Sequence, residues 1–411
     1  MSRDPEGDGD PLPQRALKQR ERIQQLWLHE RDLRHRREQQ IHRLEAVVRR
    51  RSARGIVARA VGAVGRRVRP TPSSQPAMAP TAPAAGADVR RRVAIHIGPR
   101  TWEHAQTWGD LPFGRSLQRA FERRGLRASL HVYEDRGVDD AVAADLAVHV
   151  FGSRAPDVRP DQPTLLWIIS HPDWVTRQRC TGYAAIGVAS RRFLADLQVW
   201  IGETGPRLVY LPQATDPSSF FPEPGGPPHE LLFVGNSRGL RRPVLDHLSG
   251  THHRLAIYGR GWTRELIEGH ALTGEWIPND ELHRYYAAAS IVLNDAYPDM
   301  REEGFISNRV HDALASGAFV VSERIPGIDA EFQDAVPTFT TRDELISLVD
   351  RYLAAPDERA RLAAAGRRIV LERHTFDHRV TTILEAIDPG GSSTRSAGPG
   401  RDIATGSAVV R

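Results

Sequence analysis

The stretch IVLNDAYPDMREEGFISNRVHDALASGAFVVSE (residues 291–323) predicts an α/β unit. An apolar, β-branched run leads into an acidic loop, and a segment with helical spacing follows before a second apolar run. The predicted helix begins near Ser307 and ends at Gly317. A strand, a crossover helix and a second strand are typical of a parallel sheet.

The beginning of this helix is a candidate anion site. A helix N-terminus exposes N–H groups and the positive end of the helix dipole, which suit a diphosphate. Asp312 lies farther along the helix, where it can accept hydrogen bonds from ribose hydroxyls. The alternative is a charged loop with Asp312 as an ordinary surface acid. The candidate residues of the loop and the helix start are Asp295, Glu303, Gly304, Phe305, Ser307 and Asn308.

A glycine-containing turn occurs upstream, in FVGNSRGLRRPVLDHL (233–248). Gly235 permits a close backbone approach to a ligand, and Arg238 and Arg242 can neutralise phosphate charge. Turns of this kind between a strand and a helix are common, so the pattern alone is a weak signal.

Two further candidates lie in the N-terminal half. The apolar run in LLWIISHPDW (165–174) predicts a strand whose carboxyl end carries His171 into a cleft. The segment TWGDLPFGRSL (107–117) places Trp108 and Asp110 in the loop region after the first strand. The alternatives are a structural histidine and a core or lid tryptophan.

The alternation of short apolar strands with amphipathic helices predicts two α/β lobes that face a cleft. A break rich in Pro and Gly, FFPEPGGPPH (220–229), separates them. The predicted organisation is a disordered start (1–13), a basic helical extension (14–69), a Pro/Ala linker (70–88), an N-terminal Rossmann-like domain (89–220), a C-terminal Rossmann-like domain (229–370), a helix that crosses back (371–387) and a disordered tail (388–411).

The charge is unevenly distributed along the 411 residues. The net charge is +5 overall but +11 over residues 1–92, which leaves −6 for the rest. A mildly acidic body argues against a nucleic-acid enzyme. The single cysteine excludes an internal disulfide, and no run is apolar enough for a membrane span, so we expect a cytoplasmic protein.

The basic extension predicts a contact with another molecule. Residues 14–50 lack Gly and Pro and carry apolar residues near a 3.5-residue repeat, which predicts a coiled coil for a partner or for self-association. A solvated single helix is the alternative. Residues 51–70 alternate arginines with small apolar residues and predict either peripheral contact with anionic lipid on the inner membrane face or a basic linker.

The order of the motifs resembles the GT-B glycosyltransferases of the family 4 type, and more closely the CgeB-like group of spore-maturation proteins. The resemblance covers most of residues 91–387. It implies two Rossmann-like domains facing a central cleft and transfer of a sugar from a nucleotide-sugar donor, without a metal or other cofactor. The segments that carry it are PTLLWIISHPDW, AIGVASRRFLADL, RLVYLPQATDPSSFFP, LLFVGNSRGLRRP, LAIYGRGW, GEWIPNDELHRYYAAASIVLND and EEGFISNRVHDALASGAFVVS.

The resemblance also implies roles for the candidate residues. Arg238 and Arg242 would hold the donor diphosphate, Ser307 and Asn308 would meet it at the helix start, and Asp312 would bind ribose. Gly235 and Gly259 would belong to the phosphate-binding turn and the following strand, and His171 would lie near the donor sugar. Asp110 and His171 are the candidates for activating the acceptor hydroxyl.

The sequence departs from the family pattern at its paired acids. Eight residues separate Glu303 from Asp312 where the superfamily has seven, and the second acid is Asp rather than Glu. Asp295 and Asp299 are four residues apart in the loop, so the sequence has no clear Asp-x-Asp metal motif. The remaining hypotheses are a GT-B sugar-nucleotide epimerase, a catalytically silent scaffold, and a nucleic-acid-binding protein that uses its basic arm.

Overall fold

The computed structural model describes residues 91–135, 137–152 and 158–387. The predicted segments 1–13, 14–69 and 70–88 and the tail 388–411 lie outside the described residues.

The N-terminal lobe is built on a six-stranded sheet, all of whose neighbouring strands are parallel, in the order β2-β1-β3-β4-β5-β6. Its strands are β1 (Arg92–His96), β2 (Arg127–His131), β3 (Leu146–Val150), β4 (Thr164–Ile168), β5 (Ala185–Val188) and β6 (Arg207–Tyr210). The helices are α1 (Trp102–Ala105), α2 (Asp110–Arg123), α3 (Asp139–Val142) and α4 (Arg191–Ile201).

The C-terminal lobe has a second parallel six-stranded sheet, in the order β12-β11-β10-β7-β8-β9. Its strands are β7 (His229–Val234), β8 (Leu255–Tyr258), β9 (Leu272–Gly274), β10 (Ala289–Asn294), β11 (Val320–Glu323) and β12 (Thr338–Phe339). The helices are α5 (Pro243–Leu248), α6 (Leu282–Ala288), α7 (Pro298–Glu302), α8 (Asn308–Ala315), α9 (Ile328–Phe332), α10 (Arg342–Ala354) and α11 (Pro356–Arg373); α12 (Phe376–Ile387) ends the described chain.

Continuous apolar runs in the sequence become the central strands. All five residues of β4 are buried, because helices cover both faces of a parallel sheet. Trp167 in this strand is fully buried, and its indole N–H donates to the carbonyl oxygen of Leu211 at 2.7 Å. The α2 helix packs its apolar face, which includes Leu117 and Phe121, against the same sheet.

Two segments of chain connect the lobes, and they pair with each other. The Thr215 N–H donates to the His374 carbonyl oxygen at 2.9 Å, and the Phe376 N–H donates to the Thr215 carbonyl oxygen at 3.1 Å. The buried Arg379 guanidinium donates to the carbonyl oxygen of Pro212 at 2.7 Å. Because Phe376 also packs edge-to-face on Phe113, the last helix joins the core of the N-terminal lobe.

The structure corrects two local expectations. Asp110 lies at the first position of α2 rather than in a loop, because the helix begins one turn earlier than its apolar face suggests; Pro112 is tolerated in a first turn, where the proline lacks only an N–H that has no helical partner. The acidic loop after β10 contains the short helix α7, whose first residue is Pro298. Among the described residues no helix is both long and apolar enough to span a membrane.

We predict that Gly259→Ala destabilises the C-terminal lobe by at least about 2 kcal/mol. Gly259 has φ +148°, and an added Cβ would lie 2.1 Å from the Gly235 carbonyl oxygen, so two strand ends must separate. Thermal and urea unfolding measure the loss. The control is Gly137→Ala, whose Cβ meets nothing within 4 Å; equal stability of the two variants would contradict the prediction.

Candidate functional site

A cavity of about 340 Å³ lies between the two lobes, at the carboxyl ends of their strands. The strand order reverses between β1 and β3 in one sheet and between β7 and β10 in the other, and ligands of open α/β sheets bind at such points. The N-terminal lobe and the lobe connections line it with Gly109, Asp110, Pro112, Phe113, Ser116, Ile169, Ser170, Gln213, Phe220 and Phe376. The C-terminal lobe contributes Val234, Asn236, Arg238, Arg242, Asn279, Tyr286, Asp295, Ala296, Tyr297, Met300, Ser307, Asn308, Arg309 and Asp312.

A buried ion pair joins the turn after β7 to the end of β10. Both side chains are almost fully buried, and the Arg242 guanidinium donates to both carboxylate oxygens of Asp295, at 3.2 Å from Nε and closer from the second nitrogen. Burial alone would lower the pKa of Arg242, but Asp295 outweighs that effect and raises it. The Arg242 guanidinium also lies over the Tyr297 ring at 4.1 Å, which fixes its plane.

A second guanidinium, from Arg309 in the first turn of α8, approaches the same carboxylate. One Arg309 nitrogen lies 4.0 Å from an Asp295 carboxylate oxygen and donates to Asn294 Oδ1 at 2.8 Å. Burial lowers the pKa of Arg309, yet an arginine stays charged at neutral pH. Two arginines therefore share one carboxylate, and the cluster Arg242–Asp295–Arg309 carries a net positive charge.

Arg238 and His171 meet across the cleft. An Arg238 N–H donates to His171 Nε2 at 2.9 Å, and Ser170 Oγ lies 2.7 Å from His171 Nδ1. Because arginine can only donate, Nε2 must accept, which leaves the proton on Nδ1. Both residues have left-handed backbones, with φ of +56° for His171 and +52° for Arg238. Such conformations cost about 1–3 kcal/mol each in residues other than glycine and cluster at functional sites.

The carboxyl group of Asp312 faces the connection between the lobes. Thr215 Oγ1 donates to its Oδ1 at 2.8 Å, and Asn308 Nδ2 donates to its Oδ2 at 2.7 Å. Burial raises the pKa of Asp312 to about 8, against the lowering effect of these two hydrogen bonds. Asp312 is therefore mainly protonated at neutral pH and links α8 to the lobe connection.

The beginning of α8 faces the cavity without a side-chain cap. Ser307 occupies the capping position, but its hydroxyl donates to Asn294 Oδ1 at 2.8 Å instead of accepting from the helix. Ser307 and Asn308 both line the cavity. The positive end of the helix dipole and the guanidinium of Arg309 therefore act in the same direction on an anion in the cavity.

Asp110 lies on the opposite wall. Its carboxylate accepts the backbone N–H of Gly98, which follows β1, and one oxygen would lie 3.8 Å from a Cβ placed on Gly152, which follows β3. Burial raises the pKa of Asp110 to about 6, although Arg238 and the Gly98 N–H lower it. A carboxylate with this pKa is a competent proton acceptor near neutral pH.

Several predicted site residues do not line the cavity. Phe305 is fully buried and packs against Phe193 at 5.5 Å between ring centroids, so it belongs to the core. Gly304 has φ +77°, and a Cβ there would lie 2.9 Å from the Pro326 carbonyl oxygen. The carbonyl oxygen of Glu303 accepts a hydrogen bond from Ser190 of the other lobe.

The two glycines predicted for the phosphate-binding turn and for the strand that follows it lie beside the cavity rather than on its wall. The Gly235 N–H donates to the Tyr258 carbonyl oxygen at 2.8 Å, so Gly235 extends the pairing of β7 with β8. Gly259 packs on Gly235, as described above. Of the two candidate bases, Asp110 lines the cavity, whereas His171 reaches the site through Arg238.

Sequence reasoning missed several residues of this site, among them Arg309 and Thr215. Arg309 directly follows the Ser307-Asn308 pair that the sequence predicted to meet a diphosphate, so its place in the first turn of the predicted helix was an available signal. Thr215 has no such signal, because its partner Asp312 is 97 residues away in the chain.

Residues 238–385, just over a third of the chain, match a family described as "Glycosyl transferase-like". A search of curated proteins finds no match. Sucrose-phosphate synthase from Thermosynechococcus elongatus is similar in structure, with a TM-score of 0.52 and 13% identity over 72% of this chain and 98% of that one. T4 phage β-glucosyltransferase, solved with its UDP-glucose substrate, has a TM-score of 0.54 and 14% identity over 72% and 99%.

A glycosyltransferase from Rickettsia africae has a TM-score of 0.50 and 11% identity over 74% of this chain and 100% of that one. At these identities the likeness establishes the fold alone. The predicted fold, GT-B with two Rossmann-like domains, is confirmed.

We predict that Asp312→Asn becomes more stable relative to the parent as the pH rises from 5 to 8. The folded chain keeps the Asp312 proton to about pH 8, whereas an unfolded aspartate loses it near pH 3.9, so the parent loses stability over this window. Asparagine is neutral throughout and avoids that loss. The difference in melting temperature should grow by several degrees, since ~1 kcal/mol corresponds to about 2–4 °C in a domain of this size.

The control for this titration is Asp161→Asn, which changes an exposed carboxylate paired with Arg159. The hydrogen bond from Arg159 lowers the pKa of Asp161, so the difference of this variant from the parent should stay constant between pH 5 and 8. A constant difference for Asp312→Asn as well would contradict the raised pKa of Asp312.

Proposed function

We propose that this protein is a glycosyltransferase that moves a sugar from a nucleotide-sugar donor to a hydroxyl acceptor. The observation that carries the proposal is the cluster Arg242–Asp295–Arg309 beside an uncapped helix start in an interlobe cavity. A buried site with an uncompensated positive charge favours a di-anionic group such as a diphosphate. The match of residues 238–385 to a glycosyltransferase-like family supports the same activity.

The donor side supplies charge stabilisation for the leaving group. As the glycosidic bond breaks, negative charge develops on the nucleoside diphosphate. Arg309, Arg238 and the backbone N–H groups at the N-terminus of α8 can donate hydrogen bonds to that diphosphate, with geometry set before the reaction. Asp295 holds Arg242 so that its guanidinium cannot rotate away. These cations can take the part of a divalent metal, and we propose a metal-independent reaction.

The acceptor side supplies a base. We assign this role to Asp110, because it lines the cavity opposite the arginines and its pKa of about 6 lets it take a proton from the acceptor hydroxyl near neutral pH. The Arg238 guanidinium influences both sides, since it lowers the pKa of Asp110 and donates to His171. We therefore assign His171 to positioning Arg238.

The finer assignments remain proposals that rest on the sequence resemblance. They are membership of the CgeB-like, family 4-type group, a hexosyl donor, a surface polysaccharide, glycolipid or protein glycan as acceptor, and a cytoplasmic enzyme that contacts the inner face of the membrane. A catalytically silent scaffold or an epimerase of the same fold would share the donor cavity. The epimerase would turn over donor without an acceptor.

We predict that the full-length protein binds one class of nucleotide sugar, and that Arg309→Gln weakens this binding by about 10–100-fold. The loss corresponds to a hydrogen bond between charged groups. Calorimetry and thermal shift with UDP-, GDP-, TDP- and ADP-sugars measure the affinity, with chelator present to test metal independence. The control is Arg264→Gln, an exposed arginine on the same lobe. Absence of binding to any of the four nucleotide sugars would favour the catalytically silent scaffold.

We also predict that Asp110→Asn lowers kcat by about 10²–10⁴-fold while donor affinity changes little. The parent rate should fall as the pH drops below about 6, where Asp110 becomes protonated, and the variant should lose this dependence. Hydrolysis of the donor serves as the assay until an acceptor is known. Glu103→Gln, an exposed acid in α1, is the control. An unchanged kcat in Asp110→Asn would exclude the assignment.

A further inference from the structure

A second cluster of polar side chains lies on the C-terminal lobe, away from the carboxyl ends of the strands. His252 and His253 stand in the loop before β8, at the amino end of that strand, and Asp350 lies on α10. One ligand atom from each of the three comes within 4.8 Å of the others. Among the described residues, no other group of three histidine, cysteine or acidic side chains converges in this way.

His253 is the fixed member of the cluster. Its side chain is only 3% exposed, and its Nε2 is buried and forms no hydrogen bond of normal geometry, although Asp350 Oδ1 lies 3.0 Å away. A buried ring nitrogen without a hydrogen bond is costly unless something else satisfies it. Two atoms that bind the same metal ion would lie this close to each other without forming a hydrogen bond.

The other nitrogen of His253 lies near a second carboxylate. Glu230 Oε1 in β7 lies 3.4 Å from Nδ1 and accepts the backbone N–H of Arg254 at 3.1 Å, which anchors the carboxylate. A carboxylate behind a ligating histidine fixes the ring orientation and its tautomer, and metal-binding histidines commonly have one. Glu230 would hold the proton on Nδ1 and so leave the Nε2 lone pair facing Asp350.

We propose that His252, His253 and Asp350 bind a divalent transition-metal ion of the Zn²⁺ type. Two imidazoles and one carboxylate are the ligand set that Zn²⁺ takes, with bonds of about 2.0–2.2 Å and a water in the fourth position. Donor atoms of such an ion stand roughly 3.4 Å apart. His252 is exposed and the Asp350 side chain is 54% exposed, so solvent reaches the site and these two ligands can adjust around His253.

The ion would act on structure rather than on the sugar-transfer chemistry. The loop that holds both histidines belongs to the segment between α5 and β8, whereas Asp350 belongs to α10. A bound ion would join the two segments and stabilise the folded state by mass action. This inference is independent of the proposed function, since none of its residues lines the interlobe cavity.

The test uses the full-length protein after chelator treatment and desalting. We expect calorimetric titration with Zn²⁺ to include one equivalent that Asp350→Asn abolishes or weakens by more than about tenfold. Zn²⁺ should raise the melting temperature of the parent but not of the variant. Titration with Co²⁺ should give the intense visible absorption of a four-coordinate ion, and the variant should lose it.

The controls distinguish metal binding at this site from binding by other histidines and from a loss of folding. Asp343→Asn makes the same substitution on the same helix and should bind like the parent. Asp350 is half exposed, so Asp350→Asn should melt like the parent in the presence of chelator. Glu230→Gln should retain binding but weaken it by about tenfold, because only the orientation of His253 changes. Zn²⁺ titrations that are the same in the parent, Asp350→Asn and His253→Ala would overturn the proposal.

Discussion

The structure around the cavity depends on one buried carboxylate shared by two arginines. Asp295 has no exposed surface, and burying its charge alone would be strongly unfavourable. Arg242 compensates it, and Arg309 adds a second positive charge at 4.0 Å. The cluster ties three elements together, namely the turn after β7, the end of β10 and the first turn of α8. It also leaves the cavity one positive charge in excess, which a phosphate-containing ligand can neutralise.

The second constraint is the neutral carboxyl group of Asp312. The two connections between the lobes pair through Thr215, and Asp312 joins that pairing to α8. Helix α8 therefore faces the cavity with its N-terminus. One turn later, Asp312 accepts a hydrogen bond from Thr215 in the lobe connection. An ionised Asp312 would add a buried negative charge near Asp216, so burial and Asp216 both disfavour its ionisation.

Strain is concentrated where the lobes meet over the cavity. His171 and Arg238 both have left-handed backbones, and their hydrogen bond crosses the cleft. A diphosphate that attracts Arg238 would compete with His171 for the same guanidinium. Under the proposed function, the position of Arg238 would therefore couple diphosphate binding to a contact with the N-terminal lobe.

The sequence by itself determined the two α/β lobes, because alternating apolar strands and amphipathic helices are typical of parallel sheets and a break rich in Pro and Gly divides them. Glycine-containing turns and helix starts are local patterns, and six residues that they indicated as candidates line the cavity: Arg238, Arg242, Asp295, Ser307, Asn308 and Asp312. The tertiary structure alone decided what these residues contact. Asp312 meets Thr215 across 97 positions, Arg242 meets Asp295 across 53, and Phe305 is turned into the core. Local propensity sets the elements, but charge compensation and burial depend on neighbours that no local pattern specifies.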